Sequence, residues 1–247
     1  MKSNSISLFA GKAGAKLFTL TLAISAFMMS CEKNTEPGTS SITDAEIVSI
    51  ASGALGVKSG GLELQTQSAV ILSITNQNPA FCGTVTDTTV IKQLDSGAVS
   101  YRLAINWRRT NNCAAGVVSS FTHVFGGTAS YTTPELSSND ELTGNFTLSG
   151  FGPGSNDLLV NQRYERSGTQ KFKSNDGREV KSKITISTSN LKLSRGTGRI
   201  LSGEGTFLVS GTAGQDAFEY SGSITFQGSG KATLSFTGGK SYPISWK

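Results

Sequence analysis

The sequence predicts a mainly all-β fold: an antiparallel up-and-down meander of about nine or ten strands, forming a barrel-like or strongly curved sheet, with one short N-terminal helix. Three observations predict it. From about residue 70 onward, apolar residues recur with a period of two. Turn-forming residues separate these runs at short intervals, which suits antiparallel neighbours. Only one stretch near the start combines helical spacing with a cap. A sheet of this kind must close on itself, fold into a sandwich or have a face covered.

Residues 1–30 read as a signal segment. Lys2, Lys12 and Lys16 precede an apolar run from Leu17 to Met29, and no acidic residue occurs there. The run has the length of a secretory apolar region and is short for a bilayer span. It ends in Ser30-Cys31, which resembles a bacterial lipobox, although Met28 stands where leucine is usual. The resemblance implies cleavage before Cys31, diacylglycerol on its sulfur and acylation of the new amino group. Several acyl chains would hold the protein on a membrane, at about 0.8 kcal/mol per buried methylene. An ordinary secretory signal with an incidental cysteine is the alternative reading.

Cleavage changes the charge. The full chain has 22 basic and 17 acidic residues. The leader removes three lysines, so the remainder is nearly balanced and its composition gives no argument for nucleic acid. Residues 31–42 read as the lipidated N-terminus and a flexible tether, polar and broken by Pro37-Gly38. Residues 43–247 read as a single β-rich domain.

That domain opens with Thr43-Asp44-Ala45-Glu46, the spacing of a capping box. Ile47, Ile50, Ala51, Ala54 and Leu55 follow at helical spacing, so a helix is expected over about 44–55, ended by Gly56. Val70, Leu72 and Ile74, with Ile71 opposite, suggest a short strand. Residues 99–109 alternate most cleanly: Val99, Tyr101, Leu103, Ile105 and Trp107 point one way. Further strands are expected over 117–125, near 142–150, over 158–173 and over 179–193, with Asn175-Asp176-Gly177 as a hairpin turn. Three more follow, marked by Phe207 and Val209, by Phe218 to Phe226, and by Leu234 and Phe236. Tyr242, Ile244 and Trp246 end the sheet, and Pro243 favours an edge there.

Cys82 and Cys113 remain after Cys31 is lipidated. In an oxidising compartment a disulfide is expected, stabilising by roughly 3–4 kcal/mol. No metal is expected, since zinc needs three or four ligands and His123 is the sole histidine. No cofactor motif is present. Catalytic residues are not expected either: nothing in the spacing supplies His123 with a nucleophile and an orienting carboxylate. Arg163, Tyr164 and Arg166, with Trp246, are the candidate ligand-binding residues, because arginine forks recognise anions and aromatic rings stack on sugars. The opposing reading of the strand near Arg163 is a cross-strand ion-pair ladder.

Cys31 followed by Glu-Lys-Asn, then Phe81-Cys82, Asn112-Cys113, Phe125-Gly126-Gly127, Asn161-Gln162-Arg163-Tyr164 and serial Ser-Gly strands resemble a group of uncharacterised β-rich lipoproteins of Bacteroidota. The resemblance implies a lipid-anchored cell-envelope location, most consistent with the outer membrane. It implies no activity. The expected function is a non-enzymatic binding or structural module whose partner is a glycan, a hydrophobic small molecule or an envelope protein. A carrier with a barrel cavity and a carboxylate-dependent glycan hydrolase are the alternatives; for the latter, Asp140, Glu165 and Glu204 are the residues to test.

Overall fold

A computed structural model describes residues 42–152, 154–174 and 177–246. The leader at 1–30, Cys31, most of the tether and the Asn175-Asp176 part of the predicted turn lie outside the described residues. Ile42, the last tether residue, is buried in the core.

The predicted helix is present as α1, Asp44–Leu55. Its capping box is complete: Glu46 N donates to Thr43 Oγ1 at 3.3 Å, and Thr43 N donates to Glu46 Oε2 at 2.8 Å. The helix ends at Gly56. A second helix, α2, spans Leu62–Ile74 where the sequence suggested a short strand. The reason is local. Val70 is buried while Ile71 and Ile74 are exposed, so the apolar cluster of residues 70–74 is sampled at a helical period. The polar residues of α2 tolerate burial because their hydroxyls bond back to its own carbonyls. Thr66 donates to Glu63 O, Ser68 to Leu64 O and Ser73 to Ala69 O, all at 2.8–2.9 Å. Between the helices Gly61 cannot carry a side chain, since a Cβ would lie 2.5 Å from Ala54 O.

A short 3-10 turn at Pro79–Phe81 leads into ten strands: β1 (Val85–Asp95), β2 (Ser100–Ala114), β3 (Val117–Thr132), β4 (Leu136–Ser149), β5 (Asp157–Phe172), β6 (Glu179–Ser194), β7 (Ile200–Ala213), β8 (Asp216–Gly228), β9 (Lys231–Phe236) and β10 (Ser241–Ser245). They form one sheet in sequence order, each strand antiparallel to the next. The predicted meander is therefore present, as a curved sheet that does not close. β1 is the strand the sequence did not single out; its alternation is weak and none of its residues is buried.

The curvature follows from what touches the helices. α1 and α2 are reached by Arg109 of β2, His123 of β3, Arg166 of β5, Gly198 between β6 and β7, and Tyr242 of β10. A sheet can meet one helical pair along so many strands only by curling around it. The inner face supplies the core, including Trp107, Phe125, Phe146, Tyr164, Ile186, Phe207 and Ile224. Trp107 packs on Phe125 with ring centres 4.4 Å apart. Phe125 in turn covers the bare backbone of Gly144, where a Cβ would meet its ring at 2.2 Å. Cys82 and Cys113 lie at disulfide distance, 2.19 Å between sulfurs, and tie the 3-10 turn to the end of β2.

Candidate functional site

Arg166 is the centre of a buried polar clamp. It lies on the inner face of β5, where the period-two pattern buries Gln162, Tyr164 and Arg166. Its Nε donates to Asp140 Oδ2 at 2.7 Å, and its Nη1 donates to Gly53 O and Ser59 O, each at 3.0 Å. The guanidinium sits 4.6 Å above the Tyr131 ring. Asp140 also accepts from Ser138 at 2.6 Å and from Gln170 at 2.9 Å. Burial opposes the charge on Arg166, but Asp140 and the nearby tyrosines hold its pKa above the ordinary arginine value. Burial pushes Tyr164 up to about 12. The clamp fixes the α1–α2 turn to the sheet.

Of the residues considered for a ligand strip, Arg166 is therefore enclosed and engaged within the protein, and Tyr164 is enclosed in the core. Arg163 lies on the outer face, 3.6 Å from Glu165, which also meets Lys183 of β6 at 2.8 Å. That is the cross-strand ladder anticipated as the opposing reading. Such exposed pairs contribute about 0–1 kcal/mol each.

Trp246 closes the chain against α2. Its Nε1 donates to the carboxylate of Glu63 in the first helical turn. Burial raises the Glu63 pKa, opposed by the Trp246 bond and by Arg199. Beside this contact a groove of about 440 Å³ opens between α1, β10 and the turn joining β3 to β4. Ser49, Ser52 and Lys58 line the helical side, Pro134 the turn, and Ile244 and Trp246 the strand. Tyr131 lines it too, with Arg166 on its ring. Thus Trp246, picked from the sequence, reaches the groove directly, and Arg166 supports its wall. Ser49, Ser52 and Lys58 carried no sequence signal beyond their polar positions on or after an amphipathic helix.

The structure also brings a hydroxyl to the sole histidine. His123 Nε2 lies 2.8 Å from Ser73 Oγ. Both residues have no exposed surface, and His123 Nδ1 has no hydrogen-bond partner among the described residues. Burial, with Arg109 nearby, lowers the His123 pKa to about 3. A nucleophile–base pair needs substrate access and a group that orients the imidazole; this pair joins α2 to β3. The three acidic residues weighed for hydrolysis have different surroundings. Asp140 is neutralised by Arg166, Glu165 belongs to the outer ladder, and Glu204 is exposed on β7. Among the described residues, no His, Cys, Asp and Glu group could hold a metal, and no helix is long and apolar enough to cross a membrane.

Compared with known proteins, the chain matches no family model, no curated protein and no solved structure.

Proposed function

We propose that this protein is a non-enzymatic binding module of the cell envelope, held at a membrane through lipid on Cys31, and that it takes a short glycan in the groove between α1 and β10. The groove carries the reading. Its volume, about 440 Å³, lies within the roughly 300–1,000 Å³ of small-ligand sites. Its lining mixes hydroxyls, the Lys58 ammonium and the Glu135 carboxylate with proline, aliphatic and aromatic surface, the combination that meets both the edges and the faces of a sugar ring. It is built from a capped helix and a sheet edge fixed to each other by Asp44, which accepts from Tyr242 at 2.7 Å, while the Glu63–Trp246 bond holds the residue after β10 to α2. Rigid walls reduce the ordering cost of binding.

The carrier alternative is less well supported. The inner face of the sheet, where a barrel carrier would hold its ligand, is occupied by α1, α2 and the aromatic cluster around Trp107. A glycan array probed with the full-length chain tests the proposal, with Ser49→Trp as the variant that fills the groove. Binding that the variant abolishes supports it; binding unaffected by the variant places the ligand elsewhere, and an array without signal removes the glycan. Membrane fractionation of Cys31→Ser tests the anchor separately: release to the soluble fraction is expected, and unchanged association contradicts lipidation there.

A further inference from the structure

Gln162, Arg166 and Gln170 share the inner face of β5, and they fare differently. Arg166 is held by Asp140 and by the Gly53 and Ser59 carbonyls. Gln170 uses both ends of its amide. Its Nε2 donates to Ser138 Oγ at 3.2 Å and to Asp140 Oδ1 at 2.9 Å, and its Oε1 accepts from Ser182 Oγ of β6 at 2.6 Å. Gln162 is similarly enclosed, at 5% exposure, yet among the described residues neither its Oε1 nor its Nε2 has a hydrogen-bond partner. Thr188 stands directly opposite on β6, is 6% exposed, and its Oγ1 has none either. Turning the amide over does not help, because both of its ends are open.

The pair sits where the ladder breaks. The register runs from Val160↔Leu191 to Gln162↔Thr188, so Asn161 faces two residues of β6, a bulge. Against β7 the same strand slips again, from Thr188↔Gly205 to Lys192↔Ser202. Asn190 takes a left-handed φ of 55° there, and its N–H donates to Asn161 Oδ1 at 2.7 Å. Buried polar atoms without partners are costly, and folded proteins meet such groups with other protein groups or with ordered water.

We propose that Gln162 and Thr188 form an internal water site, in which at least one water molecule bridges the two side chains beside the bulge. The chemistry selects the ligand. Gln162 Oε1 needs a donor and Nε2 an acceptor, while the Thr188 hydroxyl takes either role. A cation would serve Oε1 and repel the N–H groups; an anion would do the reverse. Either would also be a buried charge, and the flanking inner residues Phe146, Tyr164 and Ile186 bring no charge to offset it. A neutral molecule that both donates and accepts meets all three atoms. Water is the smallest such molecule, and an enclosed polar niche with several partners is where buried waters are held. The bridge joins β5 to β6 across the interrupted register, nearly as well as a direct hydrogen bond would.

A crystal structure of the lipid-free Cys31→Ser chain tests this, together with magnetic relaxation dispersion of the water signal, which counts long-lived internal waters. The crystal structure is expected to place an ordered water within hydrogen-bond distance of both side chains, about 2.7–3.2 Å. Gln162→Leu combined with Thr188→Val is expected to lower the dispersion amplitude by the share of one water or more. Ser187→Ala, on the outer face of β6, is expected to leave it unchanged. A direct Gln162–Thr188 hydrogen bond, no water within reach of the pair, density for an ion or a larger molecule, or an amplitude equal in the parent and the folded double variant would each overturn the proposal. Where the double variant does not fold, the crystal structure of the parent decides.

Discussion

His123 Nε2 and Ser73 Oγ stand 2.8 Å apart inside the protein, joining β3 to the last turn of α2. The imidazole is neutral there, since burial and Arg109 lower its pKa to about 3. An unfolded histidine titrates near 6.5. The folded state thus binds fewer protons between those values, and its stability is fully present above pH 6.5 and lost as pH falls toward 3. From pH 7 to pH 4 the loss from this residue is on the order of 3 kcal/mol. His123→Phe is expected to lose less over the same range, as read by urea unfolding at the two pH values. Parallel slopes for the two proteins would show that the histidine is not the sensor.

Arg166 holds three elements at once, so its removal leaves Asp140 as an unpaired buried charge and takes one donor from each of the Gly53 and Ser59 carbonyls. Arg166→Ala is expected to destabilise by about 3–5 kcal/mol. Arg166→Met combined with Asp140→Leu is expected to recover part of that loss, because no lone charge remains. Chemical denaturation of the parent and the two variants checks the order; an Arg166→Ala protein within about 1 kcal/mol of the parent would contradict the clamp.

Glu63, buried beside Trp246, gives the opposite pH sign. Burial raises the Glu63 pKa, so the folded state holds its proton more tightly than the unfolded state. Its contribution is fully present below the unfolded pKa and is lost as pH rises through the folded one. Glu63→Gln keeps an acceptor for Trp246 Nε1 and is expected to raise the melting temperature at pH 8 more than at pH 4. A gain that does not vary with pH would point to packing instead.

Replacing Cys82 and Cys113 by serine together releases the 3-10 turn from β2, across a sequence separation of 31. A loss of roughly 3 kcal/mol is expected, with reducing agent producing the same shift in the parent and none in the variant.

Most of the sheet was legible because its inner face is buried on alternate residues. Leu103, Ile105 and Trp107 in β2 and Val180, Ile184 and Ile186 in β6 show the period directly. α1 was legible because its capping box is a local signal. α2 was not: it is enclosed by the curled sheet on several sides, so Leu62, Gln65, Thr66 and Ser68 are all buried and no single stripe marks the helix. β1 was obscured for the opposite reason: its outer face is exposed and its inner face is at most half-buried, as at Val90. The groove depends on contacts such as Trp246 with Glu63, 183 residues apart, which no local pattern encodes.

The most direct test of the binding-module account is a residue-resolved NMR titration of the lipid-free Cys31→Ser chain with the glycan that gives the strongest array signal. The account predicts saturable shifts concentrated at Ser49, Ser52, Lys58, Ile244 and the Trp246 indole, all absent in Ser49→Trp. Saturable shifts confined to the outer face around Arg163 and Lys183, or none at any of the groove residues, would contradict it.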